Sequence, residues 1–438
     1  MKQTNCLKIV ERDNKVVAPC QHLSYYPLAI KSVKGAIITD EDGNEFIDFL
    51  SSASSLNMGS CNPVVTEAIR QQLDEFTQYT PAYTYNNKTT SYAEKLTSVY
   101  PGGVKAKIAF GNCGSDGNDA AVKFARAYTG RQKIIVFQNG YHGSTYGSAT
   151  MTTCSTNMHS KMGPFLPEIY IFPFFGSDVD DAVVEAEGTK AMESAFESWL
   201  PAEEIAAMVI EPIQGDGGIL PAHPIFMKKL YDLCQKNGIL FISEEVQQGF
   251  YRTGKFFAIE HYGIVPDGII MGKSMGAGLT LGGFMAREDI MDCLPAPAHL
   301  FTMGGNTIAC AAGCAAFDYY QSDEFQTILK NNIATLEAQL KRLKETHPDM
   351  ITFTRGIGMS KSIGVSPEDP YATFKILYRC YELGLVIISI AGNILRVQPP
   401  LNITEEQLVK AFDIIIQSID DYKAGKISDD VLAFKAGW

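Results

Sequence analysis

The chain has 438 residues, 46% hydrophobic and 20% charged, which is ordinary globular composition with length for roughly two to three domains. A net charge of −12 argues against nucleic acid or an anionic membrane as a general partner, so an anionic ligand must be held by local dipoles and hydroxyls. Ten cysteines show no CxxC and no Cys/His spacing suited to zinc; Cys310 and Cys314 merely share a helix face, and reduced thiols are expected rather than disulfides or metal.

Met1-Lys2-Gln3-Thr4-Asn5-Cys6 leads into charged residues without an apolar signal core, and no run reaches membrane-spanning length. The expectation is a soluble, cytoplasmic protein. Asp40-Glu41-Asp42-Gly43-Asn44 is a hairpin signal within a first segment, 1–55, expected to join the C-terminal part or cross between subunits. From about residue 60 to residue 300 apolar runs alternate with amphipathic stretches. The predicted strands are 108–110, 134–137, 207–210, 240–242 and 269–271. The predicted helices are 63–76, 116–128 and 224–236, the last stopped at Asn237-Gly238. This alternation reads as an α/β fold, a mainly parallel sheet covered on both faces, in a large domain over 56–320. After residue 320 long helices dominate, 325–345 and 405–422, with a strand region near 359–365, giving a smaller α+β domain over 321–438.

Several segments carry chemistry. Gly111-Asn112-Cys113-Gly114-Ser115-Asp116 follows a strand and opens a helix, an anion site by its exposed N–H groups, although Ser115 is equally a good helix cap. In Tyr141-His142-Gly143 an aromatic can stack on a flat ring, or simply pack. Glu211-Pro212-Ile213-Gln214-Gly215-Asp216-Gly217-Gly218 sets two carboxylates and three glycines at a strand end, more than a turn requires. Glu211 there demands a cation, for which Arg396 is the candidate, and Arg396 can alternatively clamp a substrate carboxylate. Of Glu244 and Glu245, neighbours on a strand, only one can reach a given ring. Gln247 follows three residues on, and Thr302-Met303-Gly304-Gly305-Asn306 offers a second hydroxyl and turn before a helix. Lys273 sits between the buried run Gly268-Ile269-Ile270-Met271 and a glycine-rich turn, where desolvation frees an amine for attack on a carbonyl. A lysine at one strand end and a carboxylate, Glu244, at another is what pyridoxal 5'-phosphate chemistry needs: an imine-forming amine and an acid behind the pyridine nitrogen.

Together these segments resemble the class III aminotransferases, fold type I enzymes using pyridoxal 5'-phosphate. The resemblance covers nearly the whole chain, from Gly43-Asn44-Glu45-Phe46-Ile47-Asp48 to Pro399-Pro400-Leu401, and includes Arg252-Thr253-Gly254 and Gly272-Lys273-Ser274. It implies Lys273 as the Schiff-base lysine, Gly114 and Ser115 on the phosphate, Tyr141 on the ring and Gln247 on its phenolic oxygen. It also implies Thr302 on the phosphate of a partner subunit, hence a homodimer or dimer of dimers, and a substrate gate of Glu211 with Arg396. Within the family the chain is most similar to amino-acid racemases of the isoleucine 2-epimerase type, through Lys123-Phe124-Ala125-Arg126-Ala127-Tyr128-Thr129-Gly130, Ala296-Pro297-Ala298-His299-Leu300-Phe301-Thr302 and Ala391-Gly392-Asn393-Ile394-Leu395-Arg396. Those racemases carry an aspartate where Asp216 stands, implicated as a catalytic base. Two departures stand out: Glu244 replaces the usual aspartate, one methylene longer, and Tyr251 replaces a usual glycine.

The resemblance implies racemisation or 2-epimerisation of an apolar, branched-chain-like amino acid, with Lys273 and Asp216 as the two bases. Transamination to a 2-oxoacid is the alternative, and a cofactor-binding protein without turnover is a third reading. Small-molecule substrate, no nucleic acid and no membrane complete the expected partners.

Overall fold

The computed structural model describes residues 1–435, and the chain divides into two units: Met1–Asn62 with the chain from Ser322 on, and Pro63–Gln321. The Pro63–Gln321 unit is built on a seven-stranded sheet. In chain order its strands are β1 (Ala106–Gly111), β2 (Lys133–Phe137), β3 (Ile169–Phe172), β4 (Ile205–Ile210), β5 (Leu240–Glu244), β6 (Gly268–Met271) and β7 (Gly282–Arg287). Across the sheet the order is β1-β7-β6-β5-β4-β2-β3. β7 runs antiparallel to both β1 and β6, and the other neighbours pair in parallel.

The sequence explains these choices. β4, Ile-Ala-Ala-Met-Val-Ile, and β6, Gly-Ile-Ile-Met, are buried at every residue, as strands covered on both faces must be. The helix Gly114–Thr129 turns Ala120, Ala121, Phe124 and Ala125 onto Ile134, Val209, Ile242, Ile270 and Phe284, the main core. The helix Pro224–Asn237 starts with Pro at its first turn and His223 as cap, and ends on Gly238 at φ +62°, a left-handed stop that glycine adopts without strain. Two strands of the large sheet lack a clear sequence signal. β3 is only half-buried, and β7 reads Gly-Gly-Phe-Met-Ala-Arg, with too few β-branched residues to announce itself.

In the other unit, Ile30–Lys34, Ile37–Asp40, Glu45–Asp48 and Leu385–Val386 form one sheet; Ile351–Ile357, Ser360–Val365, Ile394–Val397 and Ile388–Ile390 form another. Asp40 Oδ1 accepts the N–H groups of Asp42 (2.9 Å) and Asn44 (2.8 Å), closing the hairpin turn. The helices Asp323–Thr346, Ala372–Glu382 and Glu405–Lys423 pack here, the last opened by a reciprocal cap of Thr404 and Gln407. Ser51, Ser52, Ala53 and Ser54 all adopt positive φ, 48–64°, a left-handed turn of non-glycine residues that no sequence pattern announced.

Candidate active site

The parallel register of β4, β5 and β6 delivers three charged groups to one end of the sheet. Ser243 pairs with Ile210 on one side and Ile269 on the other, so Glu211 and Glu244 stand level on adjacent strands, and the Gly272-Lys273 step follows just past Ile270, the residue paired with Glu244. These are the carboxyl ends, where open α/β sheets take ligands. Lys273 is half-buried and starts a short 3-10 turn, Lys273–Gly276, at φ +47°, a left-handed backbone that a lysine adopts only under constraint. The constraint is close packing: a Cβ on Gly272 would lie 2.8 Å from the Gly114 backbone nitrogen. A Cβ on Gly114 would lie 2.7 Å from the Val246 methyl carbons. The lysine turn and the 111–114 turn thus meet backbone to backbone, with the Val246 side chain just after β5 packed against both.

Glu244 and Glu245 are both buried and serve opposite ends. Glu245 Oε2 accepts the Ala258 N–H (2.8 Å), and its Oε1 accepts the Ile259 N–H (2.8 Å) and the Ser243 hydroxyl (2.9 Å). Burial still pushes its carboxyl up to about 7 against those bonds. Glu244 is held well above the usual carboxylate range, first by burial and then by the like charge of Glu211, while Lys273 and the Val246 N–H oppose the rise. Glu245 is therefore a structural acid, and Glu244 belongs to the charged cluster with Lys273.

The 111–116 turn opens the helix Gly114–Thr129 with Cys113 as cap residue and no side-chain cap. Ser115 does not cap, contrary to its alternative reading; it lies inside the first turn, and its Oγ accepts the Ser144 N–H at 3.2 Å. Helices opened by Asn306, Ser322 and Thr404 do carry such caps. The uncapped first turn leaves N–H donors at a positive helix end, an anion site. Gly143 rests on it so closely that a Cβ there would lie 2.2 Å from Ser115 Oγ.

Tyr141 donates its backbone N–H to Glu211 Oε1 (2.9 Å), and Gly215 donates its own to Glu211 Oε2 (2.9 Å). Burial raises Glu211 to about 7; those two bonds and the Lys273 charge pull down, and Asp216 pushes up. Asp216 is buried and also raises the Tyr141 hydroxyl, after burial. Gln247 is buried under the same loop: a Cβ on Gly215 would lie 2.4 Å from its Oε1. His142 is buried, burial pushes it down to about 4, and its Nδ1 meets no hydrogen-bond partner among the described residues, so it is neutral in the fold.

Thr302 and Arg396 are the two remaining sequence candidates. Thr302 is exposed, its carbonyl accepting the Gln78 side-chain N–H at 3.2 Å. Arg396 is buried in the other unit, on Ile394–Val397 between Ser362 and Ile388. Sequence reasoning passed over Thr152, whose Oγ accepts the His142 (2.9 Å) and Gly143 (3.2 Å) N–H groups and donates to the Gly143 carbonyl (3.0 Å). Nothing in its local sequence, a Thr-Thr pair after a helix, signals that task.

The donor set fits pyridoxal 5'-phosphate. An amine stands beside a buried carboxyl, a helix end without a side-chain cap carries a hydroxyl for a phosphate, and an aromatic, Tyr141, and an amide, Gln247, lie against the Glu211 loop. Among the described residues no cluster of His, Cys, Asp and Glu suits a metal ion, and no helix is long and apolar enough to cross a membrane.

A family model described as aminotransferase class-III matches residues 20–419. The chain is 39% identical over 443 residues to an isoleucine 2-epimerase of Lentilactobacillus buchneri, covering 98% of each. It is 33% identical over 444 residues to a leucine/methionine racemase of Thermococcus litoralis, covering 98% of this chain and 99% of the other. The solved ornithine aminotransferase of Toxoplasma gondii ME49 superposes with TM-score 0.85 at 27% identity, covering 96% of each chain.

Proposed function

The chain belongs to the class III aminotransferase family, with fold type I architecture and pyridoxal 5'-phosphate as cofactor, and on that premise we propose an amino-acid racemase or 2-epimerase for apolar, branched-chain-like substrates. The observation that carries this reading is Asp216, a buried carboxylate in a loop fastened to Tyr141, beside the lysine cluster. Support for the substrate class comes from the likeness to an isoleucine 2-epimerase and a leucine/methionine racemase.

When bound, the cofactor supplies an imine-forming aldehyde and a ring that spreads the charge left at Cα. Lys273 would be the covalent anchor and, as the free amine, the base for the Cα proton on one side. Asp216, directly or through a water, returns a proton on the other, the second base that inversion needs. Glu244 would keep the pyridine nitrogen protonated by standing ionised against it, the ring's positive charge opposing the rise that burial and Glu211 give the acid. Gly114 and Ser115 would hold the phosphate, Tyr141 the ring face and Gln247 the phenolic oxygen. Thr302 serves the phosphate of a second copy, making the protein a homodimer or dimer of dimers; the exposed Tyr79, Tyr83, Tyr85, Leu300 and Met303 support such an apolar contact. Light scattering giving a monomer at micromolar concentration would remove that part.

Incubation with a panel of L-amino acids in D2O tests the main reading. Racemisation gives the opposite configuration at Cα with deuterium and no 2-oxoacid. The second reading, transamination, is favoured by the likeness to a solved ornithine aminotransferase; steady 2-oxoacid without inversion would establish it instead.

A further inference from the structure

We propose that Glu211 is a positioning residue, one carboxylate that fastens the 137–143 loop to the 211–218 loop and thereby sets Tyr141 and Asp216 in a single geometry. It deepens the racemase reading, since it assigns the residue that aims the second base.

The two loops follow different strands, β2 and β4, and no turn chemistry joins them. Glu211 joins them with one oxygen each, Oε1 to the Tyr141 N–H and Oε2 to the Gly215 N–H, both at 2.9 Å. The residue after Gly215 is Asp216, and the tie is thus one peptide from the proposed base. A second tie runs parallel, the Gln214 side-chain N–H to the Gln138 carbonyl at 2.6 Å. The loops are pressed together between them: a Cβ on Gly217 would lie 3.0 Å from the Asn139 carbonyl oxygen, and one on Gly140 would lie 3.5 Å from Glu211 Oε1.

The chemistry of the side chain follows from the geometry. Two backbone donors converge from opposite loops, and only a carboxylate offers an acceptor to each. Glutamine of the same length would set its NH2 against one of the two N–H groups, donor to donor. Aspartate, a methylene shorter, keeps the charge but cannot span both. A buried carboxylate is expensive where shape alone is needed, whereas two charge-assisted bonds to N–H groups justify it. The same oxygens face Lys273, Asp216 and Glu244 as the charged groups around them.

Hydrogen exchange by mass spectrometry on the cofactor-loaded protein tests the tie itself. In Glu211→Ala the amides in peptides spanning Tyr141 and Gly215 should exchange at least tenfold faster, and in Glu211→Gln and Glu211→Asp at least one of the two should. Unchanged protection at both loops in the Gln and Asp variants overturns the proposal. The functional readout is a split. In D2O, formation of the inverted amino acid should fall at least tenfold in Glu211→Gln, while deuterium entering the unconverted enantiomer changes less than threefold. A parallel fall of both would mark Glu211 as merely structural and overturn its aiming role. Should the wild-type protein give 2-oxoacid without inversion, the racemase reading fails, and the exchange data still decide the tie.

Discussion

The end of β5 has two sides, and they are built on opposite principles. On one, Glu245 is surrounded by donors: Ser243, Ala258 and Ile259 satisfy its oxygens, and the acid works as a peg that orders the turn after Phe257. On the other, Glu244 is surrounded by charges, with Glu211 and Lys273 nearby and one backbone N–H from Val246. Adjacent residues of identical type thus separate into a satisfied acid and a frustrated one. Satisfaction marks scaffold; frustration, in a cleft at a strand's carboxyl end, marks chemistry.

Removing the centre of the frustrated side should have the largest effect. Lys273→Ala is expected to lower turnover on the order of 10^4-fold or more and to abolish the near-visible absorbance of the lysine imine. A variant that keeps this band would erase the contrast, since the amine would not be the anchor.

Glu244→Gln should cost roughly 10^2- to 10^3-fold in rate, while Glu244→Asp stays active. The Gln protein should be no less stable than wild type, because a buried acid crowded by Glu211 gives way to a neutral amide of the same length. Equal activity of the Gln variant and wild type would mean that the acid behind the ring is another residue. Glu245→Ala should show the reverse, a stability loss of about 2–5 kcal/mol from two orphaned N–H groups, with activity per folded molecule within threefold. A denaturant titration beside a rate assay on both variants reads the crossed pattern directly.

Titration sharpens the contrast further. Glu211 rises to about 7 in the fold from an ordinary 4.5, so the native state holds its proton more tightly. Its contribution to stability is complete below about 4.5 and is lost as the pH rises through about 7. Glu211→Gln should flatten that decline by about one proton. His142 has the opposite sign: depressed to about 4 from 6.5, it contributes stability above 6.5 that is lost as the pH falls through about 4. That loss is worth up to about 3 kcal/mol, and His142→Gln should remove it. Thermal melts from pH 4 to 8 on both variants would expose a wrong sign at once.

Much of this was legible beforehand for a physical reason. Strands covered on both faces must be apolar throughout, and β2, β4, β5 and β6 announced themselves as short unbroken runs. Asn237-Gly238 marked a helix end because a left-handed stop favours glycine. Pleating alone put Glu244 and Glu245 on opposite faces. β7 and β3 escaped notice, one glycine-rich and one half-exposed, since neither pays its way by hydrophobic pattern alone.

What the amino-acid order determined by itself was local: the periodicities, the helix stops, and a lysine set between a buried strand and a glycine-rich turn. Only the folded chain decided which of two adjacent glutamates would find donors, that the helix end at Gly114 would go without a side-chain cap, and that Tyr141 and Gly215 would meet on the oxygens of Glu211. Those outcomes depend on hydrogen bonds between segments far apart in sequence, here 70 residues for the Tyr141 tie, and periodicity carries no record of such partners.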